Sequence, residues 1–516
     1  MNKLKISIIL MLLLVASLNS CNEETINLDP IGDTEAGFFQ NESQMNMAVF
    51  GIYQKVAFFY AFRGGQNNNT APVVMLPGDD LTTSASYAHE NFTALNGSNG
   101  QLGLYYQFAY QLIARANTVL QKIEENAAFA YKAIPAQKDQ NKGEALFLRA
   151  YMNFCLWNVF GTAPLVTERI INLDNAFPPN SKGTELLDQA ITDLQEAAQL
   201  LPASWPAAYK GRVTKDSALG LRGKCLVFRG TVNKAPADFT AAIADFNAIS
   251  GASLMPLYSN NFDVKFENNA ESLYEYQANN ATGAVNPFVG GAGGNDAFAA
   301  IGEIGGYWGM FSQKPTWIGN SYFSATASIR NAYEVGDPRL TYNLDPNPAT
   351  LINVKKYIKN TSYATGGNGA SNEISLNNPR ILRYADVLLL KAEAIVRSGG
   401  SLKDAIALVN QIRDRARKSV ESGAPSAIPA DRDVNEANAA TVLEWIFQER
   451  RLELAFEEGH RWWDLRRRHI ANEIDLKTFD FQSKLIDFKF ENHNVNFPLP
   501  AKEVDESPAL EQNTGY

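Results

Sequence analysis

Glu449, Glu453, Glu457, Glu458 and Asp464 form a dense set of carboxylates interleaved with Arg450, Arg451, Arg461, Arg466 and Arg467. Such a set could serve glycoside hydrolysis. A retaining hydrolase holds two carboxyls about 5–5.5 Å apart in a cleft, one of them kept protonated at neutral pH. The spacing points elsewhere. Glu449, Glu453 and Glu457 recur at i, i+4 with arginines close in sequence, so they are expected to stay ionised as paired partners, and a lowered pKa makes a poor general acid. Glu449, Arg450, Glu453, Arg461 and Asp464 therefore read as a structural ion network fixing the last helices. The sequence contains no G-x-S-x-G, H-E-x-x-H, G-x-x-x-x-G-K-[ST] or C-x-x-C. Gly220 to Cys225 approaches a phosphate loop but lies within a helical pattern and lacks the hydroxyl after Lys224.

A second set of residues suits binding. Sugars offer apolar C–H faces and hydroxyl edges, so their sites need an aromatic platform flanked by hydrogen-bonding groups, and peptide sites use similar aromatics. Tyr307, Trp308, Phe311, Trp317, Tyr322 and Phe323 cluster among Gly and Asn rather than at helical spacing, which makes them the first candidates for ligand contact. Asp79, Asp80, Tyr87, His89, Asn91 and Phe92 are a second group. Packing beneath long loops is the competing use for each aromatic. Trp157, Trp445, Trp462 and Trp463 are expected in the core. No cofactor is expected. Calcium prefers oxygen ligands, so Asp79, Asp80 or Asp337 could hold a structural calcium, although no D-x-[DN]-x-[DN]-G loop ending in Glu occurs.

These groups require a frame, and the apolar pattern supplies a helical one. Leu402, Ala405, Ile406, Val409, Ile412 and Ala416 share one face of a helix predicted over Leu402–Ala416, with Ser401 as its cap. Similar periods predict helices near Glu42–Phe59, Leu102–Glu125, Gln140–Phe160, Glu185–Leu200, Lys215–Arg229, Phe239–Ile249, Ile381–Arg397 and Ala440–Glu458. Gly161, Gly399 and Gly459 are placed to stop helices. Pairing by short turns implies a tetratricopeptide-like stack, though no 34-residue consensus is written out. Two stretches lack periodicity, about Gly64–Gly103 and a loop-rich region about 258–378, and irregular insertions on a rigid frame are where binding usually resides.

Composition sets the outer limits. The 516 residues carry 46 basic and 55 acidic groups, a net charge of −9, and 45% are apolar. Such a chain has ample material for a core, and the acidic balance excludes nucleic acid as a natural partner. At the N-terminus Lys3 and Lys5 precede an apolar run over residues 6–18, too short to span a membrane, which ends in Leu18-Asn19-Ser20-Cys21. This matches a lipobox, in which Cys21 is acylated and becomes the mature terminus, with Asn19 departing from the usual small or hydroxyl residue. Each buried methylene of an acyl chain contributes roughly 0.8 kcal/mol, so multiple acylation holds the protein on a membrane. Cys155 and Cys225 lie in apolar patterns and read as buried thiols. The expected organisation is a signal peptide at 1–20, a lipidated tether at 21–40 and one domain at 41–516. Its helical scaffold spans about 41–257 and 379–516.

Three blocks are specific enough to carry a resemblance. They are Gly143-Glu144-Ala145-Leu146-Phe147-Leu148-Arg149-Ala150-Tyr151 with Phe160-Gly161-Thr162-Ala163-Pro164-Leu165; Arg383-Tyr384-Ala385-Asp386 running to Val409-Asn410-Gln411-Ile412-Arg413-Asp414-Arg415-Ala416; and Glu449-Arg450-Arg451-Leu452-Glu453 through Gly459 to Arg461-Trp462-Trp463-Asp464-Leu465-Arg466-Arg467. With Gly336-Asp337-Pro338-Arg339 and the ending Phe497-Pro498-Leu499-Pro500, they resemble the SusD/RagB family of Bacteroidetes outer-membrane nutrient-binding lipoproteins. The resemblance fades between about Tyr258 and Tyr333. It implies a mainly α, SusD-like superhelical scaffold of helix pairs facing a SusC-like TonB-dependent transporter, with a loop-rich ligand face, no enzymatic activity, and delivery of a glycan or a peptide to the barrel. The acidic Glu23-Glu24 after Cys21 resembles the signal that sends such lipoproteins to the cell exterior. A surface glycoside hydrolase and a helical adaptor without a small ligand are the alternatives.

Overall fold

The computed structural model describes residues 35, 37–60, 70–83, 88–278, 323–345, 352, 354–357, 363–365, 373–375, 377–479, 481 and 488–516. The fold is mainly α. In chain order the described helices are α1 (Glu42–Tyr60), α2 (Ala71–Met75), α3 (Ala88–Asn91), α4 (Gly100–Ala130), α5 (Pro135–Val159), α6 (Glu185–Leu200), α7 (Lys215–Asn233), α8 (Pro236–Ala248), α9 (Ala327–Ala332), α10 (Pro338–Asn343), α11 (Tyr384–Arg397), α12 (Leu402–Lys418), α13 (Ala439–Glu453), α14 (His460–Ile470) and α15 (Ala501–Glu506). Six short strands accompany them: β1 (Leu81–Thr82), β2 (Ser272–Glu275), β3 (Ser324–Ala325), β4 (Tyr363–Thr365), β5 (Glu373–Ser375) and β6 (Arg380–Arg383).

Helices α4 to α8 each pack on the next, as expected of stacked helix pairs. Their sequences explain the order. Asn99 caps α4 by accepting from the amides of Gln101 and Leu102, and Thr214 with Ser217 forms a capping box on α7. Helix α5 is buried on all sides from Gly143 to Val159, so it is the central rod against which α4 and α6 lie. Gly161 ends it at φ +72°, where a side chain would run into Asn496. The stack then skips about 130 residues of chain: α11 packs on both α7 and α8, and α12 and α13 build a second apolar cluster around it from Leu388, Leu389, Ile406, Val409, Ile412 and Ile446. The stretch between α8 and α11 is thus an insertion, closed at its base by antiparallel β2 and β6.

Helix boundaries depart from expectation in two places. Ile381 to Arg383 are strand rather than helix, because β6 pairs with β2 in register Tyr274↔Leu382 and Ser272↔Arg383 before α11 begins. Helix α13 stops at Glu453, and the following turn holds Phe456 at φ +65° and Glu458 at φ +44°. Gly459 is therefore not a stop but the residue before α14, where a Cβ would collide with the Trp463 indole. The glycines of 220–225 also gain a purpose. A Cβ on Gly223 would overlap the Phe246 ring, so this glycine lets α8 approach α7, and no phosphate loop exists. Trp157, Trp462 and Trp463 are each 2% exposed, whereas Trp445 is half-buried under the Arg432 guanidinium at 5.3 Å. Burial pushes the Cys155 thiol up to about 12 and that of Cys225 higher still, which leaves both inert.

Candidate functional site

The carboxylates of α13 and the turn after it meet arginines, but chiefly not those adjacent in sequence. Glu453 accepts from Arg383 Nη1 (2.7 Å), Arg339 Nη1 (3.0 Å) and Arg415 Nη2. Glu449 joins Arg339 (2.6 Å) and Arg413 (2.9 Å), while Glu457 joins Arg383 (2.7 Å) and Lys356 (2.6 Å). Arg383 reaches on to Glu271 of the insertion at 2.6 Å. On the other side Arg450 bridges Asp386 (2.6 Å) and Asp464 (2.7 Å), and Arg467 ties Asp464 to Glu393. Arg466 meets no acid among the described residues; it donates to Val495 O and Asn496 Oδ1, and burial pulls its pKa down to about 9. Sequence reading missed Arg339, Arg383, Arg413, Arg415, Lys356 and Glu271. Proximity in sequence does not mark them, although Arg339, Arg383, Arg413 and Arg415 lie inside the quoted blocks.

Burial alone would raise Glu453 and Asp464, yet the guanidiniums prevail. Arg415, Arg383 and Arg339 hold Glu453 far below the usual carboxylate range, and Arg450 with Arg467 holds Asp464 at about 2. Glu458 differs. Burial raises it to about 7, against the hydrogen bond from Tyr60 Oη at 2.8 Å, and it stands outside the i, i+4 set expected to stay ionised. Its surroundings, Tyr60, Tyr151, Tyr105 and Trp463, leave a void of only about 20 Å³, room for a water and not for a sugar.

Asp79 and Asp80, read as ligand or calcium groups, face the same helices. Asp79 binds Arg461 (2.6 and 3.0 Å) and Arg451 (3.0 Å), and Asp80 binds Arg451 (2.8 Å). Burial pushes both carboxyls up; the two arginines overcome it at Asp79, held at about 2, while Asp80 stays raised beside its neighbour's charge. Asp337 caps α10 and pairs with Arg339 at 2.8 Å. With cations already opposite them, these aspartates do not form a calcium cage, and among the described residues no group of three or more His, Cys, Asp or Glu could hold a metal ion.

The ligand candidates divide. Tyr87, Tyr307, Trp308, Phe311, Trp317 and Tyr322 lie outside the described residues, as does Cys21. Phe92, 6% exposed, packs against Trp462, Phe488, Phe490 and Phe497, and Phe323 is 1% exposed. Phe92, Phe323 and Asp80 are thus buried supports rather than ligand-facing groups: their surfaces are already taken by protein. The two irregular regions nevertheless meet. Strand β1 pairs with β3 through Leu81↔Ala325 and Thr82↔Ser324, and Thr326 donates to the carbonyls of Asp80 (2.9 Å) and Asp79 (2.7 Å). The first loop and the end of the insertion are stitched together, and Arg451 spans the seam by adding Ser328 (2.8 Å) to its bonds with Asp79 and Asp80.

Open clefts lie elsewhere on the described surface. A groove of about 630 Å³ runs between α10 and the segment after α12, with Tyr342, Lys355, Ser419, Glu421, Ser422 and Ser426 in its walls. Another, of about 430 Å³, has Trp205, Arg212, Asn268 and Tyr274 in its lining; there Arg212 stacks 3.9 Å over the Trp205 ring and binds Glu144 at 2.7 Å. Each joins aromatic faces to polar groups, the combination a saccharide or peptide needs.

A stack of helix pairs carrying a stitched double-loop face is an architecture that known proteins share. Residues 259–516 match the SusD family, and residues 40–230 match a SusD-like family described as "Starch-binding associating with outer membrane". This chain belongs to the SusD family. It is 28% identical over 440 residues to SusD-like protein P38 of Formosa agariphila, covering 79% of this chain and 78% of that one. Among solved structures it is similar in fold to a laminarin binding SusD-like protein (TM-score 0.70, 23% identity, 92% of this chain and all of that one). It is also similar to the surface glycan-binding protein A of Bacteroides thetaiotaomicron in complex with laminarihexaose (TM-score 0.68, 20% identity, 92% of this chain and 99% of that one).

Proposed function

We propose that this protein is a lipid-anchored outer-membrane protein, facing the cell exterior, that captures an oligosaccharide and delivers it unchanged to a SusC-like TonB-dependent transporter. The observation that carries the reading is the family match over both parts of the chain, 40–230 and 259–516. Two solved structures of similar fold bear laminarin or laminarihexaose in their descriptions, which makes β-glucan oligosaccharides the first ligands to try. Residues 41–516 act as one SusD-like domain behind a tether at 21–40, with Cys21 as the acylated residue. Among the described residues no helix is long and apolar enough to cross a membrane, which suits attachment by acyl chains. Catalysis is disfavoured because Glu449, Glu453, Glu457 and Asp464 are committed to cations and Glu458, among the described residues, lines a void of only about 20 Å³. Ligand contact is assigned to Tyr87, Tyr307, Trp308, Trp317 and Tyr322.

A soluble version lacking residues 1–21 tests this on a glycan array, by calorimetry with laminarihexaose, and by assay for new reducing ends. Binding without cleavage, weakened by Trp308→Ala or Trp317→Ala, is the expected result. Cleavage would make the protein a hydrolase, and binding to peptides alone would change the cargo. Silence toward both, with tight binding to a purified transporter barrel, would leave an adaptor.

A further inference from the structure

The first described residues run along one flank of the stack. The Glu35 carboxylate takes both Arg169 Nη1 and Nη2 at 2.7 Å and Lys122 Nζ at 2.9 Å. Asn126 donates to Phe39 O, and the amides of Ala133 and Ile134 donate to Glu42 at 2.6 and 3.1 Å. Large apolar side chains stand in water beside these contacts. On the α5–α6 connection, next to Arg169, Ile170 is 46%, Ile171 65%, Leu173 78% and Phe177 41% exposed; Phe129 and Ile134 at the α4–α5 corner are 47% and 53% exposed. The four on the connection are a third of the twelve large hydrophobic side chains exposed among the described residues. Grouping of this kind marks a contact surface rather than scatter.

We infer that the 170–177 connection rests in the interface of the lipid bilayer that holds the acyl chains of Cys21, so that this flank of the scaffold faces the membrane. The inference rests on the lipidation proposed above. Glu35, clamped to Arg169, stands fourteen residue steps from Cys21. A chain of that length reaches at most about 50 Å fully extended. The anchor therefore keeps the apolar connection close to lipid, and tethering makes a second, weak membrane contact effectively intramolecular. A protein partner is the poorer occupant. Specific protein interfaces bury roughly 1,000 Å² or more, which a few side chains on one loop do not supply, whereas a bilayer interface accepts apolar side chains singly.

The test uses the acylated full chain on vesicles of phosphatidylethanolamine and phosphatidylglycerol. A polarity-sensitive fluorophore is attached through L173C, or through V434C on the α12–α13 connection as control; Cys155 and Cys225 are buried and escape labelling. Blue-shifted emission and quenching by chain-brominated lipid at L173C, and neither at V434C, are expected. If the protein floats with vesicles but the L173C label stays in water, the bilayer contact is refuted and the anchor stands. If the full chain floats no better than a Cys21→Ala variant, anchoring fails and the inference fails with it. Shielding of L173C only after the transporter barrel is added would make this a protein interface and overturn the assignment to lipid.

Discussion

The N-terminal stack and the C-terminal motif both bury charge, yet they do so differently. Along α5, the central rod of the stack, buried ions form separate pairs. Arg149 meets Asp193 at 2.7 and 2.8 Å, joining helices α5 and α6 that already share apolar packing, and Arg212, in the segment before α7, meets Glu144 of α5 at 2.7 Å. Around α13 and α14 the ions are shared: Glu453 serves Arg339, Arg383 and Arg415, and Arg383 serves Glu271, Glu453 and Glu457. The segments gathered there are α10, the two-stranded β2–β6 ladder and the Asp79–Asp80 turn, which are short and have little apolar face to bury. A lattice of guanidiniums and carboxylates positions such irregular segments where a hydrophobic stripe cannot. The conspicuous Glu449–Arg467 motif is thus the fastening that holds both loop regions to the helical frame.

If the lattice is a shared fastening, removing its hub should cost most. Glu453→Ala leaves three buried guanidiniums facing one another, and losing one member of a buried ion pair typically costs about 3–5 kcal/mol. Denaturant unfolding should show that loss, and hydrogen exchange should speed up together in β2, β6 and α10 while α4–α6 stay protected. Retained stability would mean the lattice is not a fastening. Arg451→Ala is the next test. It breaks hydrogen bonds between charged groups across the β1–β3 seam, at about 1.5–3 kcal/mol. Exchange should rise at 79–83 and 324–328, and glycan affinity should fall even though Arg451 is assigned no ligand contact.

Much of the frame was legible in the sequence because helices write their packing locally. The predicted face of α12, Ala405, Ile406, Val409, Ile412 and Ala416, is buried as expected, and Ser401 caps it. What failed was long-range. Ile381 and Leu382 extend the apolar run of α11 and read as helix, but their strand is imposed by β2 more than a hundred residues upstream. The i, i+4 carboxylates announced that they would be paired and could not announce Arg339 or Glu271 as members of the network. Phe92 and Asp80 had the right chemistry for a ligand; burial by Trp462 and by Arg451 gave them other work. Residue type signals what a side chain can bind, while exposure is settled by the tertiary fold.

Glu458 offers a sign test between the two behaviours. Its folded pKa of about 7 lies above the ordinary carboxylate value of 4.5, so the folded state holds a proton the unfolded state releases. Its contribution is complete below pH 4.5 and is lost as pH rises toward 7. Asp79 and Asp464, held at about 2, act oppositely, contributing above pH 4 and losing that contribution as pH falls toward 2. Glu458→Gln keeps an acceptor for Tyr60 and removes the titration. The variant should gain roughly 2–3 kcal/mol over the parent at pH 8 relative to pH 5, judged by unfolding midpoints at both values. An unchanged difference would place Glu458 with the ionised members of the motif.

The smallest effect belongs to ion pairs outside both regions. Asp414 contacts Lys418 at 2.5 Å and Arg417 at 3.3 Å on the exposed side of α12, with side-chain exposures of 44% for Asp414 and 59% for Lys418. Water screens these charges and the long side chains lose freedom when they pair, so such contacts contribute about 0.2–1 kcal/mol, falling further with salt. Asp414→Ala should therefore move the unfolding midpoint barely, and less at 1 M than at 0.05 M sodium chloride. Glu453→Ala should keep most of its penalty at either concentration, because its partners lie at 0–5% exposure where ions do not enter. Were both variants to lose their effect equally in salt, the distinction between a buried lattice and ordinary surface pairs would collapse, and the motif would be no more than a charged helix face.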